Sequence, residues 1–187
     1  VELHAWDTVR GSDFLADQDV VWRFVEEAPK EIVQLDHWGI PWSRRPDGRI
    51  NQRPFGGHSF DRAVFAEDKT GFFEMQTLYD TLLKYGGVTR YDECYVSSIL
   101  IKDGVFQGVT VWDLTTGEFY LVKGKALIVA TGGACRMYGF TTYSLTATGD
   151  GMAMAWRAGA ALVDMEFVQF HPTALYREGA PQFLLSE

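Results

Sequence analysis

The sequence predicts an α/β fold whose sheet carries an antiparallel insert. Apolar residues recur at helical spacing in the N-terminal part of the chain, which predicts helices there. From Tyr95 onward, runs rich in β-branched and aromatic residues alternate with turn residues, which predicts strands. Because helices flank a sheet that ends in a continuous apolar run, the pattern is typical of a layered α/β domain.

The composition of the chain excludes several classes of function. The chain has 187 residues, 47% of them hydrophobic, which is enough for one packed core. A net charge of -8 with scattered Lys and Arg excludes a nucleic-acid partner. Cys94 and Cys135 are too far apart in the sequence for a disulfide framework or a zinc site, so no metal is expected. We expect the protein to lie in a reducing compartment. No apolar run is long enough to span a bilayer and no signal peptide opens the chain, so any membrane link must come through a partner.

The first forty residues are predicted to form two helices. Ser12 and Asp13 can cap the first, in which Val20, Val21, Phe24 and Val25 follow helical spacing. Pro29 is expected to open the second, which runs to Gly39.

A loop and a third helix follow. The segment 41–57 is rich in Pro, Gly and Arg, which predicts a loop or a short hairpin at Pro46-Asp47-Gly48. Thr70 is predicted to cap a helix that Gly86-Gly87 terminates.

The sheet is predicted from Tyr95 to Ala130. Turns at Asp103-Gly104 and Thr116-Gly117 separate three strands of an antiparallel meander. The apolar run Ala126–Ala130 is expected to be a buried parallel strand after that meander.

Two glycine loops then lie close together in the sequence. Thr131-Gly132-Gly133 directly follows the apolar run, and missing side chains there let the backbone approach a ligand. Thr148-Gly149-Asp150-Gly151 precedes a short helix ending at Gly159, whose N-terminus offers unpaired N–H groups. Two tight turns around a core strand would give the same pattern, but the proximity of both loops favours a dinucleotide site.

His171 is the best candidate for substrate contact. Because it precedes Pro172, its backbone is extended or turning and its ring can project. An imidazole can donate a hydrogen bond to an anionic substrate or exchange a proton near neutral pH. A half-buried histidine satisfied by a carbonyl is the alternative.

A series of spaced motifs covering nearly the whole chain resembles the central part of the flavoprotein subunit of succinate dehydrogenase and fumarate reductase. The series is far more specific than any single member. Its segments are Asp7–Asp13, Asp17–Asp19, Trp42–Arg45, Phe55–Gly57, Asp68–Gly71, Ala130–Gly133, Thr148–Gly151 and Glu166–Thr173.

The resemblance implies FAD as cofactor and hydride transfer between succinate or fumarate and flavin N5. It implies substrate contacts from His171, Ser186 and Glu187, with Ser186 standing where the family usually has Thr. Phe55 is implied to pack against the substrate, with a core anchor as the alternative. No catalytic residue is assigned within the chain.

For the cofactor, the resemblance places Tyr95 and Val96 near the adenine, mostly through backbone contacts. It places Asp150 on the flavin side, where a carboxylate can accept a ribityl hydrogen bond, or serve only the helix dipole. Cys135, where relatives have Gly, is expected to be a small packed residue rather than a reactive thiol. The residues implied to line the dinucleotide are Ala130, Thr131, Gly132 and Gly133.

The resemblance also implies what surrounds the chain. The expected fold is an incomplete FAD-binding two-nucleotide-fold domain over 1–164, with a capping domain starting at 165–187. The family's G-x-G-x-x-G fingerprint and its further His and Arg residues are absent, so we expect an internal piece without turnover of its own. The implied partners are an iron–sulfur subunit and membrane anchors, which would hold a cytoplasmic protein at the inner face of the cell membrane.

Two alternatives remain open in the sequence. L-aspartate oxidase has the same fold and a similar C-terminal stretch. It carries a glutamate where this chain has Phe55, and that glutamate suits a substrate ammonium. The other alternative is a non-catalytic structural module, which the missing fingerprint favours.

Overall fold

The computed structural model describes residues 1–171, 173–179 and 183–184, which form two compact units. The first unit is Val1–Thr89 and the second begins at Arg90. The helices are α1 (Glu2–Gly11), α2 (Gln18–Trp38), α3 (Thr70–Leu82) and α4 (Asp150–Arg157). The strands are β1 (Gln52–Arg53), β2 (Ala63–Val64), β3 (Cys94–Lys102), β4 (Val105–Asp113), β5 (Phe119–Lys123), β6 (Ala174–Leu175) and β7 (Phe183–Leu184).

The first two helices begin at other residues than expected. Asp17 caps α2, since its carboxylate accepts from the N–H groups of Asp19 and Val20. Ser12 instead follows the end of α1, where its hydroxyl donates to the Val9 carbonyl at 2.8 Å. The prediction that Ser12 and Asp13 cap a helix was therefore wrong.

Pro29 lies inside α2 and does not open a second helix. A proline removes one helical hydrogen bond, yet the helix continues because its C-terminal half has a core to pack against. Ile32 and Leu35 pack on a cluster of three buried residues, Ile40, Trp42 and Ala66. The helix ends at Gly39 as predicted, with a left-handed φ of 108°.

The predicted turn at residues 46–48 is confirmed. The Arg45 N–H donates to the Arg49 carbonyl at 2.8 Å, and the Gly48 N–H donates to the Arg45 carbonyl at 2.9 Å. A bridge between Arg44 and Ile50 continues this hairpin.

The third helix begins at Thr70, but its cap differs from the prediction. Lys69 is the N-cap residue and makes no side-chain capping bond. The Thr70 hydroxyl instead accepts from the Ala66 N–H at 3.0 Å, which fixes the preceding turn. The helix ends at Leu82, before the glycine pair.

The antiparallel meander is confirmed, with strand order β3-β4-β5. The Asp113 carboxylate closes the second turn by accepting from the N–H groups of Thr115 and Thr116. Between strands, Cys94 Sγ and the Tyr120 hydroxyl lie 3.1 Å apart. This contact, together with burial, raises the pKa of Tyr120 to about 12.

The prediction of a buried strand at Ala126–Ala130 was wrong. This run forms no strand, and Ile128 is 91% exposed. A strand needs a neighbour to complete its hydrogen bonds, and no segment among the described residues pairs with this run. No helix in the described part of the chain has the length and apolar character needed to cross a membrane.

Candidate functional site

The two glycine loops of the second unit pack directly on each other. A Cβ atom at Gly151 would lie 1.8 Å from Thr131 Oγ1, so only glycine fits there. A Cβ atom at Gly149 would lie 2.9 Å from the Ala134 Cβ, and Gly149 has a φ of +83°. The glycines of the second loop are therefore needed for contact with the first loop and for the left-handed turn that starts α4.

The first loop presents backbone N–H groups that have no acceptor among the described residues. Thr131 and Gly132 are exposed and Gly133 is half-buried. Among the described residues, none accepts a hydrogen bond from the N–H groups of these three positions. Unpaired N–H groups on a backbone without bulky side chains suit the phosphates of a dinucleotide. These positions therefore fit the cofactor contacts that the sequence predicts.

Asp150 is the acidic group of this site. It is the first residue of α4, and its Oδ2 accepts from the Thr148 hydroxyl at 2.8 Å. Tyr95 of β3 lies close to Asp150, because α4 packs on β3. Burial and the nearby Asp150 charge raise the pKa of Tyr95, so the phenol remains a donor at neutral pH.

Thr148 thus orients Asp150, a role that the sequence analysis missed. Thr148 could have been found from its position two residues before an aspartate, a spacing at which hydroxyl and carboxylate groups meet. The closeness of Tyr95 to Asp150 is tertiary and left no signal in the sequence.

The remaining cofactor candidates lie beside these groups in the fold or the sequence. Val96 is half-buried in β3 and pairs with Val111 of β4. Ala130 is exposed and directly precedes the first glycine loop. The cofactor contacts of both positions stay predictions.

A cavity of about 310 Å³ joins the first glycine loop to the segment before His171. Gly133 and Cys135 line one side, and Phe167, Val168 and Gln169 line another. Cys135 is half-buried in a packed turn. The structure therefore brings the predicted cofactor loop close to the segment that leads to the predicted substrate histidine.

The substrate candidates are distributed over the chain. His171 is exposed at the end of the segment that lines this cavity. Phe55 belongs to the first unit, is 61% exposed, and has its ring centroid 5.8 Å from that of His58. Ser186 and Glu187 lie outside the described residues. The substrate roles of all four positions stay predictions.

A buried charged cluster in the first unit was not predicted. Asp7 is 8% exposed and accepts from the Ser59 N–H at 2.9 Å, the Ser59 hydroxyl at 2.5 Å and Arg62 Nη1 at 2.5 Å. These hydrogen bonds, chiefly those from Ser59, hold the pKa of Asp7 well below its usual range. The partners are more than fifty residues away in sequence, so no local pattern reveals them. Within the described ranges, no group of His, Cys, Asp and Glu is arranged to hold a metal ion.

The fold and the packed glycine loops define an FAD-binding domain. A family model described as an FAD binding domain matches residues 1–187. The chain therefore belongs to this family, and the family match confirms the predicted cofactor, FAD.

The more specific resemblance is to succinate dehydrogenase and fumarate reductase flavoprotein subunits. The chain is 55% identical over 175 residues to the fumarate reductase flavoprotein subunit of Mycobacterium tuberculosis, covering 94% of this chain and 30% of that protein. It is 43% identical over 184 residues to the succinate dehydrogenase flavoprotein subunit of Rickettsia felis, covering 94% of this chain and 31% of that protein. A solved structure of quinol–fumarate reductase with menaquinol molecules matches with a TM-score of 0.90 and 48% identity, covering 93% of this chain and 30% of that chain.

These matches confirm the family resemblance that the motifs predict. They also favour this group over L-aspartate oxidase. The chain spans about 30% of the length of the curated relatives it matches.

Proposed function

We propose that this chain is the central part of a flavoprotein subunit that interconverts succinate and fumarate. The observation that carries the proposal is the contact between the Thr131–Gly133 loop and Gly151 in a chain of an FAD-binding family. This contact builds a surface of N–H groups that have no acceptor in the described part of the chain. The substrate class is proposed because relatives of 43% and 55% identity are named succinate dehydrogenase and fumarate reductase flavoprotein subunits.

The chemistry of each residue suggests its proposed role at the cofactor or the substrate. When bound, FAD supplies the hydride chemistry. The loop N–H groups hold the dinucleotide, and Asp150 accepts a hydrogen bond from one of its hydroxyl groups. His171 donates to a substrate carboxylate, and Phe55 supplies an apolar wall that limits water. Ser186 and Glu187 complete the proposed carboxylate contacts.

The proposed setting is a larger assembly. We propose that electrons pass to an iron–sulfur subunit and membrane anchors, which hold the flavoprotein at the inner face of the cell membrane. The two-nucleotide fold would be completed by segments outside these 187 residues, with a capping domain starting near residue 165. The chain alone is then expected to bind FAD weakly and to lack turnover, because it supplies only part of each site. Tight stoichiometric FAD binding by the isolated chain would contradict this.

The test uses the intact flavoprotein subunit that contains this chain. Its flavin absorbance is followed after addition of succinate or L-aspartate, and after addition of fumarate to the reduced protein. We expect bleaching by succinate and recovery with fumarate. Reduction by L-aspartate without reduction by succinate would assign the chain to the oxidase instead.

His171 is tested by substitution with alanine. Losing a hydrogen bond to a charged carboxylate is expected to raise the KM for succinate by about tenfold to a hundredfold. His37, exposed in the last turn of α2, provides the matched control. Equal KM values in His171→Ala and His37→Ala would remove His171 from the substrate site.

A further inference from the structure

The loop that carries Phe55 joins β1 to β2 and is fixed at two places. At its base, β1 pairs with β2 in antiparallel register. Further along the loop, Ser59 is tied to the buried Asp7 carboxylate, by its N–H group at 2.9 Å and by its hydroxyl at 2.5 Å. The segment between these two places therefore has little freedom to move as a whole.

Residues 55–58 form a tight turn within this loop. The His58 N–H donates to the Phe55 carbonyl at 3.0 Å, and Gly57 has a positive φ of 78°, which glycine adopts without strain. The turn brings the Phe55 and His58 rings together, with centroids 5.8 Å apart and planes inclined by 49°. This distance lies in the range of stabilising aromatic pairs.

The two rings differ in their surroundings. Phe55 is 61% exposed, whereas His58 is half-buried. Within the described part of the chain, His58 supplies the one ring in aromatic contact with Phe55. An exposed phenyl side chain can change rotamer unless a neighbour restricts it. The half-buried His58 ring is such a neighbour.

The contact depends on the ring of His58 rather than on its Nδ1 atom. Nδ1 is buried and has no hydrogen-bond partner among the described residues, so this nitrogen does not hold the ring in place. His58 also lines a cavity of about 540 Å³ together with Ile32 and Val64, which leaves room for a larger ring. A phenyl group at this position is therefore expected to support Phe55 as the imidazole does.

We propose that His58 is a positioning residue that holds the Phe55 ring in the orientation in which it lines the succinate or fumarate site. The inference rests on the proposed function, because the substrate contact of Phe55 is part of that proposal. It adds a role for a residue that lies directly after the Phe55–Gly57 motif.

The experiment is a double-mutant cycle in the intact subunit, with kcat/KM for succinate measured against an artificial electron acceptor. Phe55→Ala removes the proposed wall, His58→Ala removes its support, and the double variant removes both. His58→Phe keeps a ring beside Phe55. His37→Ala, at an exposed histidine in the last turn of α2, is the matched control.

His58→Ala is expected to lower kcat/KM by about twofold to tenfold, the effect of losing one aromatic contact. Phe55→Ala should lower it by a larger factor. The double variant should match Phe55→Ala, because His58 has nothing to position once the phenyl ring is gone. His58→Phe should stay close to wild type. A general loss of structure would add to the effect of Phe55→Ala, so the cycle separates positioning from folding.

Three results would overturn the inference. Equal kcat/KM in His58→Ala and His37→Ala would remove the positioning role. Losses that multiply in the double variant would show that His58 acts independently of Phe55. A loss in His58→Phe as large as in His58→Ala would show that the ring contact is not what matters.

Two further results separate this inference from the proposed function. An unchanged kcat/KM in Phe55→Ala would overturn the inference, while reduction of the wild-type flavin by succinate would still support the proposed function. Wild-type protein that is reduced by L-aspartate and not by succinate would contradict the proposed substrate alone. The same cycle with L-aspartate would then decide the role of His58.

Discussion

The Asp7 cluster of the first unit and the Thr131–Gly133 loop of the second unit differ in whether their polar groups have hydrogen-bond partners within the chain. In the first unit, Asp7 is buried with three donors from Ser59 and Arg62, so this cluster is complete in itself. In the second unit, the N–H groups of the Thr131–Gly133 loop have no acceptor among the described residues. A buried polar cluster that is satisfied internally maintains the fold, whereas an accessible unsatisfied one is available to a ligand. The difference distinguishes a structural cluster from a binding surface.

The largest expected effect tests the binding surface. Gly151→Ala places a methyl group against the Thr131 side chain, so the two loops must move apart. If an overpacking cost of about 1–3 kcal/mol falls on the loop arrangement that binds FAD, the loss of FAD affinity is about fivefold to 150-fold. Gly139→Ala is the control, because nothing lies within 4 Å of its added Cβ. FAD binding to the intact subunit is measured by flavin fluorescence, and equal affinities in both variants would show that the loop contact does not shape the site.

The next effect tests the structural cluster. Asp7→Asn removes the charge that Arg62 faces and leaves donors without a full set of acceptors. We expect the thermal unfolding midpoint to fall by several degrees, while FAD affinity changes less than in Gly151→Ala. Asp61→Asn, at an exposed carboxylate beside Arg62, is the control. A midpoint unchanged from wild type would mean that the Asp7 cluster does not stabilise the fold.

The smallest expected effect is a difference between wild type and Asp7→Asn in how the free energy of unfolding falls with acid pH. The folded state lowers the pKa of Asp7, so its stabilisation is complete above the unfolded value of about 3.9 and is lost as the pH falls toward the lower folded value. Other carboxylates respond too, because the pKa of Asp113 is also lowered by its turn hydrogen bonds. The measurement is therefore the difference in the free energy of unfolding between wild type and Asp7→Asn, determined at a series of pH values from neutral to acid. A difference that stays constant below pH 4 would contradict the role of the Asp7 charge.

Local signals predicted the meander well, since each of its turns is encoded by adjacent residues such as Asp103-Gly104. Predictions failed where tertiary context decides the outcome. Pro29 is tolerated inside α2 because Ile32 and Leu35 find a core. The run Ala126–Ala130 has strand composition, but strand formation requires a neighbour that composition cannot supply.

The candidate site shows the same division. The glycine loops could be recognised because glycine is required where backbones approach closely. Tyr95 and Asp150 are far apart in sequence, so the closeness of the phenol to the carboxylate could be found only from the structure.

The hairpin connections of the meander also bear on the order of folding. β3, β4 and β5 pair only with sequence neighbours, through two short turns. Strands close in sequence pair by closing small loops, so these pairings form early. The contact between Thr131 and Gly151 closes a longer loop and is expected to form later. We expect pulse-labelled amide hydrogens in β4 to be protected before those of α4. The cofactor loops would then assemble on a sheet that is already in place.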